Sequence, residues 1–276
     1  MKIKSLLTIG IAVSGITASG AFTPARSVTL QNGDFNSNNL TTVTLIDGTQ
    51  GSSGYLGDGT TATATGWNFG TGLNWLVSTG TAYQDNLNLQ GGSPDPTQTL
   101  YGTAPITSPN GTANYFVVAD GDPSFGSTIS QNLTNLVAGT KYDVSFWQAA
   151  AQQTGFTGGT TERWQVGLGG SPTQLSAIMS PIQPSGNGLN GGTATGVRPW
   201  QKQTLTFTAG SANQALSFLA VGAPNGMPPL SLLSAVSIVQ SPIAVPEPLT
   251  FLGTMTALGL GARLKSKLDK KKASQI

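Results

Sequence analysis

Residues 141–170 read KYDVSFWQAAAQQTGFTGGTTERWQVGLGG, and they carry the clearest strand pattern of the chain. Apolar and polar side chains alternate on both sides of a Gly/Thr loop, which predicts two β-strands that each bury one face. The alternating apolar residues are Tyr142, Val144 and Phe146 before the loop and Trp164, Val166 and Leu168 after it. The short glycine-containing connection predicts that the two strands form an antiparallel hairpin at the centre of a sandwich.

The opposite face of this predicted hairpin is mixed aromatic and polar. It combines Trp147 with small alanines on the first strand and polar side chains on the second. An aromatic ring beside amide groups is typical of sugar recognition, so the sequence predicts a ligand groove. Its candidate residues are Trp147, Gln152, Gln153, Arg163 and Gln165. The alternative is that Trp147, Ala149 and Ala151 pack beneath a long loop at residues 83–109.

The composition favours a single extracellular β-domain. Only 9% of the 276 residues are charged, against about 25% in an ordinary soluble domain. The 37 glycines and 16 prolines punctuate short strands, a pattern that favours a sandwich or barrel over residues 27–240. The chain has no cysteine and no histidine. It therefore lacks disulfides, a thiol nucleophile, the usual general base and the commonest transition-metal ligand.

Charge is distributed unevenly along the chain. The net charge of the whole chain is +2, but residues 27–240 hold four cationic and nine acidic side chains, a net charge of −5. Nucleic-acid binding requires a basic patch. The acidic body therefore predicts no nucleic-acid partner.

The N-terminal residues 1–25 have the organisation of a secretory signal peptide. Two lysines precede an apolar run that ends in small residues, and the run is shorter than the roughly 20 residues of a membrane-spanning helix. The predicted cleavage follows Gly20, Ala21 or Ala25. A retained N-terminal anchor is the alternative.

An Asn-Gly-Asp-Phe turn follows the first predicted strand at residues 32–35. This turn, with the later WQKQTLTFTA and ALSFLA strands, resembles carbohydrate-binding-module-like and galactose-binding-like jelly rolls. The resemblance implies an all-β, jelly-roll-type antiparallel β-sandwich with a structural calcium ion between its first and last strands. Asp34 is the candidate ligand on the first strand. The closing strand at 232–236 lacks the Asp that is usual there, and a plain turn is the alternative.

A second acidic turn, Asp120-Gly-Asp122, follows an apolar strand. Two carboxylates around a glycine suit a hard cation, but Asp and Gly are also preferred turn residues. The candidate metal ligands are therefore Asp34, Asp120 and Asp122, and no other cofactor is expected.

The C-terminal sequence changes character at residue 241. A linker at 241–248 ends in Pro246, Glu247 and Pro248, an apolar Gly-rich segment at 249–262 predicts a short hydrophobic helix, and a basic tail follows at 263–276. This arrangement resembles the PEP-CTERM sorting signal of Gram-negative bacterial envelopes, although Leu249 stands where Ser or Thr usually follows the motif and the basic tail is longer than usual. The alternative is a simple anchor helix.

The PEP-CTERM resemblance implies where the protein goes. It implies an exosortase-type processing enzyme as a partner, contact with the inner membrane during export, and display at the cell surface or in the extracellular matrix. Members of this family are typically exported proteins tied to exopolysaccharide, biofilm or surface assembly.

Together these patterns predict an exported, non-enzymatic protein that binds glycan or exopolysaccharide. The alternative is a structural or adhesive envelope component without a small ligand. A glycosidase needs two carboxylates about 5 to 9 Å apart, and the nearest sequence pair is Glu162 and Asp143 on the two strands of the predicted hairpin.

Overall fold

The computed structural model describes residues 28–41, 43–44, 50–79, 107–152, 159–182 and 199–242, together with positions 265 and 267. The predicted signal peptide, the Pro-Glu-Pro motif and the hydrophobic segment at 249–262 lie outside these residues. Within the described part of the chain, no helix has the length and apolarity needed to cross a bilayer.

The described body of the chain consists of β-strands. In chain order they are β1 (Val43–Thr44), β2 (Gln50–Gly51), β3 (Ser53–Tyr55), β4 (Asn68–Phe69), β5 (Asn74–Ser78), β6 (Tyr115–Asp120), β7 (Thr128–Leu133), β8 (Lys141–Gln152), β9 (Thr160–Leu168), β10 (Gln174–Leu175), β11 (Met179–Ile182), β12 (Gln201–Thr208), β13 (Gln214–Ala223) and β14 (Pro229–Gln240).

Two large antiparallel sheets pack face to face. Sheet 1 has the order β12-β8-β14-β6-β5-β3, and sheet 2 has the order β10-β9-β13-β7-β4 with β11 also paired to β9. Successive long strands from β6 to β9 and from β12 to β14 alternate between the two sheets, which is the connectivity of a jelly roll. The prediction of an all-β antiparallel sandwich is confirmed.

The predicted hairpin of β8 and β9 is wrong. Strand β8 lies in sheet 1 between β12 and β14, whereas β9 lies in sheet 2 and pairs with β13, β10 and β11. The two strands therefore face each other across the core. Alternation along a strand specifies its buried face, but it does not specify its hydrogen-bonded neighbour.

The space between the sheets holds the main apolar core. The inward residues of β8 and of β9 that the alternation predicts are all buried in this one cluster. Trp164 of β9 and Phe146 of β8 both make edge-on contacts with Phe218, at ring-centroid distances of 6.1 and 5.2 Å. The Trp164 indole N–H also donates a hydrogen bond to the Leu232 carbonyl of sheet 1 at 3.1 Å. Trp164 thus joins the two sheets by packing and by a hydrogen bond.

A second apolar cluster lies on the outer face of sheet 1. Its buried members are Trp75, Val77, Phe116, Val118, Ala149, Ala151, Leu230 and Leu232. Trp200, just before β12, reaches this cluster with its ring edge-on to Phe116 at 5.9 Å and donates its indole N–H to the Thr107 carbonyl. Ala149 and Ala151, which the sequence placed on the ligand face, are therefore covered.

The N-terminal strap, residues 28–35, closes one edge of the sandwich. The buried Gln131 side chain of β7 accepts a hydrogen bond from the Gln31 backbone N–H and donates one to the Gln31 carbonyl, at 2.6 and 2.8 Å. Gly33 then accepts a hydrogen bond from the Val236 N–H of β14 at 2.8 Å. The strap is therefore tied to both sheets, and it ends at the predicted turn, where Phe35 is buried.

We expect Gly33→Ala to loosen this strap. A Cβ at position 33 would meet the backbone carbonyl oxygen of Val236 and the Leu30 side chain, so the strap or β14 must shift, at a cost of about 1 to 2 kcal/mol in the free energy of unfolding. Gly170→Ala is the matched control, because a Cβ there meets no atom within 4 Å. Equal urea midpoints for the two variants would show that the strap contact is not tight.

Candidate functional site

A cleft of about 630 Å³ opens where the strap meets the outer face of sheet 1. Its lining residues are Val28, Leu30, Asn32, Gly33, Asp34, Asn110, Trp147, Lys202, Ala235, Val236, Ser237 and Ile238. The irregular part of β14 between Ser234 and Ser237 lines this cleft. Before this part β14 pairs with β6, and within it the Val236 N–H donates to the Gly33 carbonyl of the strap. The volume lies within the roughly 300 to 1,000 Å³ that is typical of ligand sites.

Two non-glycine residues that line the cleft adopt left-handed backbone conformations. Asn32 has φ of 52° and Ala235 has φ of 48°, in a region that residues with a side chain rarely occupy. Asn32 is held there by its amide, which donates to the carbonyls of Ser37 and Thr65 and accepts from the Ser37 N–H. Strained backbone of this kind occurs preferentially at functional sites.

Trp147 differs from the other four tryptophans of the chain. The indole N–H groups of Trp67, Trp164 and Trp200 donate to backbone carbonyls. The Trp75 N–H has no described partner either, but its ring is fully buried in the outer-face cluster. Trp147 is half-buried and lines the cleft. Within the described ranges its indole N–H has no hydrogen-bond partner. Most of the loop at residues 83–109, which the alternative interpretation packs over Trp147, lies outside these ranges.

Polar groups line the same cleft as this indole. Lys202 of β12 is directly opposite Trp147 in the β8–β12 pairing and is exposed. Asn110 uses its side-chain oxygen to accept the backbone N–H groups of Thr112 and Ala113. Both oxygens of the Asp34 carboxylate accept hydrogen bonds from Asn36. The cleft therefore combines an aromatic ring, an ammonium group and fixed amide and carboxylate groups.

Hydroxyl groups continue from Trp147 along the outer face of sheet 1. Ser145 and Thr204 are hydrogen-bonded to each other across the strands at 2.8 Å. Next along the strands, Asp143 accepts hydrogen bonds from the hydroxyls of Ser241 and Thr206 at 2.6 and 2.7 Å. These two bonds, led by the one from Ser241, lower the pKa of Asp143. This surface offers both donors and acceptors to a polyhydroxylated ligand.

The groove predicted from sequence is not assembled as predicted. Trp147 lies on the outer face of sheet 1, whereas Arg163 and Gln165 alternate with the buried side chains of β9 and lie on the outer face of sheet 2. The outer faces of two packed sheets point in opposite directions, so these residues do not share a groove with Trp147. The Gln152 backbone ends β8, its side chain is not described, and Gln153 lies outside the described residues.

Sequence reasoning missed Lys202, the strap and Asn110. The alternation in β12 places Lys202 on the same face as its neighbouring threonines, but its position beside Trp147 depends on the β8–β12 register. Likewise, no local pattern indicates that residues 28–35 lie against β14.

The glycosidase pair is also separated. The Glu162 side chain is fully buried on the same face of β9 as Trp164. Asp143 lies on the outer face of sheet 1 and is engaged by two hydroxyls. The expectation that Asp143 and Glu162 lie on neighbouring strands is therefore wrong, because β8 and β9 belong to different sheets.

The three candidate metal ligands do not converge. Asp120 pairs with Leu230, near the start of β14, whereas Asp34 follows Gly33, which contacts Val236. Six residues of extended strand separate these points, roughly 20 Å. Among the described residues, no three acidic side chains are grouped to hold a metal ion.

Asp120 and Asp122 instead shape their own turn. Asp120 accepts the backbone N–H of Asp122 at 2.8 Å, and Asp122 accepts those of Ser124 and Gly226 at 2.9 and 2.6 Å. These bonds, led by the one from Ser124, lower the pKa of Asp122. Asp122 thus fixes residue 226, in the segment that connects β13 to β14.

We expect stability to rise when the pH falls from 7 to 5. Burial is the largest influence on Asp120 and raises its pKa from 3.8 to about 6. The folded state therefore binds this proton more tightly than the unfolded state, and the stability from this carboxyl decreases as pH rises between about 4 and 6. Below about pH 4 the trend reverses, because Asp122 and Asp143 have lowered pKa values and lose their stabilising charge.

Asp120→Asn tests this pH dependence. The amide oxygen still accepts the hydrogen bond from the Asp122 N–H. The free energy of unfolding of the variant should exceed that of the wild type by about 1 to 2 kcal/mol at pH 7 but by little at pH 4.5. Urea unfolding at both pH values measures the difference. Parallel pH profiles for wild type and variant would contradict the raised pKa.

No protein-family model matches the chain, and no curated protein matches it. Several solved carbohydrate-binding modules are similar in structure. TmCBM61 in complex with β-1,4-galactotriose is 13% identical, with a TM-score of 0.35, and the match covers 64% of this chain and 90% of that one. A CBM4 structure is 12% identical, with a TM-score of 0.31 and coverage of 77% and 100%.

The N-terminal cellulose-binding domain of Cellulomonas fimi β-1,4-glucanase C is 17% identical, with a TM-score of 0.26 and coverage of 58% and 94%. Identities and TM-scores this low assign no function to this chain.

Proposed function

We propose that the β-sandwich binds a glycan in the cleft beside Trp147 and does so without chemical conversion of the ligand. The observation that carries this proposal is the Trp147 indole, which is half-buried and lines the cleft with its N–H unpartnered by any described residue. An indole combines an apolar ring face with a polar N–H donor, so it is suited to a ligand that has both an apolar face and polar groups.

Sugars have this dual character. The C–H groups on one face of a pyranose ring can cover the indole, while its hydroxyls reach the surrounding amide, hydroxyl and ammonium groups. Asn32 in the cleft wall is fixed by the three hydrogen bonds of its side-chain amide. A preformed site limits the ordering cost that otherwise reduces affinity.

We further propose that the protein is exported and displayed at the cell surface or in the extracellular matrix. This proposal rests on the signal-peptide pattern at residues 1–25 and on Pro246, Glu247 and Pro248, followed by an apolar segment and a basic tail. An exosortase-type enzyme would process the tail at the inner membrane. A substituted Pro-Glu-Pro motif that leaves the size and location of the mature protein unchanged would count against this sorting.

The test of glycan binding is a screen of the purified protein against immobilised neutral and acidic polysaccharides. Saturable retention by at least one polymer is expected. If a correctly folded protein is retained by none of them, the glycan-binding proposal fails, and a structural or adhesive role for the sandwich is favoured instead.

A further inference from the structure

The two charged side chains that line the cleft, Asp34 and Lys202, differ in their hydrogen bonding. Asp34 accepts hydrogen bonds on both carboxylate oxygens from Asn36. Lys202 is exposed, and within the described part of the chain its ammonium group makes no hydrogen bond or ion pair. An unpartnered cation is therefore present at the cleft, while the cleft carboxylate already has internal donors.

Lys202 is placed to act on the same ligand as Trp147. The two residues are direct partners in the β8–β12 pairing and both line the cleft. Directly opposed residues on one face of a sheet have Cβ atoms about 5 Å apart. The ammonium can therefore reach a substituent of a sugar that lies on the indole, or of the next sugar along the chain.

Lys202 is a positive charge on a domain whose net charge is negative. Residues 27–240 carry a net charge of −5, with four cationic side chains in total. Such a body gives no general attraction to a polyanion, because its long-range field is repulsive. Attraction to an acidic ligand must therefore come from a specific short-range contact.

We infer that the glycan bound in the cleft carries carboxylate groups, as uronic-acid polymers do, and that the Lys202 ammonium pairs with one of them while Trp147 contacts the sugar ring. This inference rests on the proposed glycan binding and names its ligand class. The Asn110 amide and the Ser237 hydroxyl, which also line the cleft, suit the uncharged hydroxyls of the same polymer.

The test uses uronic-acid polymers and their neutral counterparts. Polygalacturonate, alginate and xanthan are each compared with their carboxyl-reduced forms, which keep the sugar backbone and lose the charge. Affinity electrophoresis of the full protein measures retention by each polymer at 50 and 500 mM NaCl. We expect at least one uronate polymer to bind about fivefold or more tighter than its reduced form, with a difference that shrinks at high salt.

Lys202→Gln should remove this preference, so that each uronate polymer binds no tighter than its reduced form. Arg163→Gln is the matched control, because Arg163 lies on the outer face of sheet 2, away from the cleft, and its loss changes the net charge by the same amount. Equal retention of charged and reduced polymers, or equal effects of the Lys202 and Arg163 variants, would overturn the acidic-ligand inference while leaving glycan binding intact. Retention by no polymer, charged or neutral, would overturn both.

Discussion

Trp164→Ala should lower the free energy of unfolding by about 4 kcal/mol, the largest stability effect that we expect from a single substitution. The Trp164 side chain is fully buried between the sheets and contacts Phe218 edge-on. Its removal leaves a cavity in the core and also leaves the buried Leu232 carbonyl without its indole donor. Urea unfolding followed by far-ultraviolet circular dichroism measures the loss.

Two further variants separate packing from hydrogen bonding. Trp164→Phe keeps an aromatic ring but loses the N–H, and should cost about 1 to 2 kcal/mol. Leu175→Ala, at an exposed position paired with β9, should cost less than about 0.5 kcal/mol. A loss of less than 1 kcal/mol in Trp164→Ala would show that Trp164 does not join the sheets as described.

Trp147→Ala should weaken glycan binding at least about thirtyfold, equivalent to roughly 2 kcal/mol, because aromatic anchors commonly dominate a binding site. Its effect on the free energy of unfolding should be much smaller than that of Trp164→Ala, since the ring is half-buried and has no described hydrogen-bond partner. Isothermal titration with a polymer fragment retained in the screen measures the affinity.

Two controls accompany Trp147→Ala. Trp147→Phe retains a ring and should keep part of the affinity. Leu175→Ala removes an exposed apolar side chain of β10 in sheet 2, away from the cleft, and should leave the affinity unchanged. If Trp147→Ala binds as tightly as Leu175→Ala, the ligand does not contact the indole.

The sequence predicted the faces of the strands well. Alternation identified the buried residues of β8 and β9, and the Asn-Gly-Asp-Phe turn predicted the buried Phe35. These features are local, because a period of two depends only on consecutive residues and a turn on four. The outward direction of Trp147 follows from the same local rule.

Strand pairing could not be predicted in this way. The loop after β8 leads into the other sheet, although a short Gly-rich connection also suits a hairpin. The cleft depends on contacts between residues far apart in the chain, such as Gln31 with Gln131 and Gly33 with Val236. No periodicity records such contacts, so Lys202 and the strap were found only in the folded structure.

The most direct test of the cleft assignment is the two-dimensional ¹⁵N–¹H NMR spectrum of the indole N–H groups during titration with a bound polymer fragment. The chain has five tryptophans, and comparison with Trp147→Phe assigns the Trp147 signal. Binding in the cleft predicts that this signal shifts saturably, while the signals of the buried Trp67 and Trp164 stay in place. A saturable shift at other indoles with the Trp147 signal unmoved would contradict the proposed site.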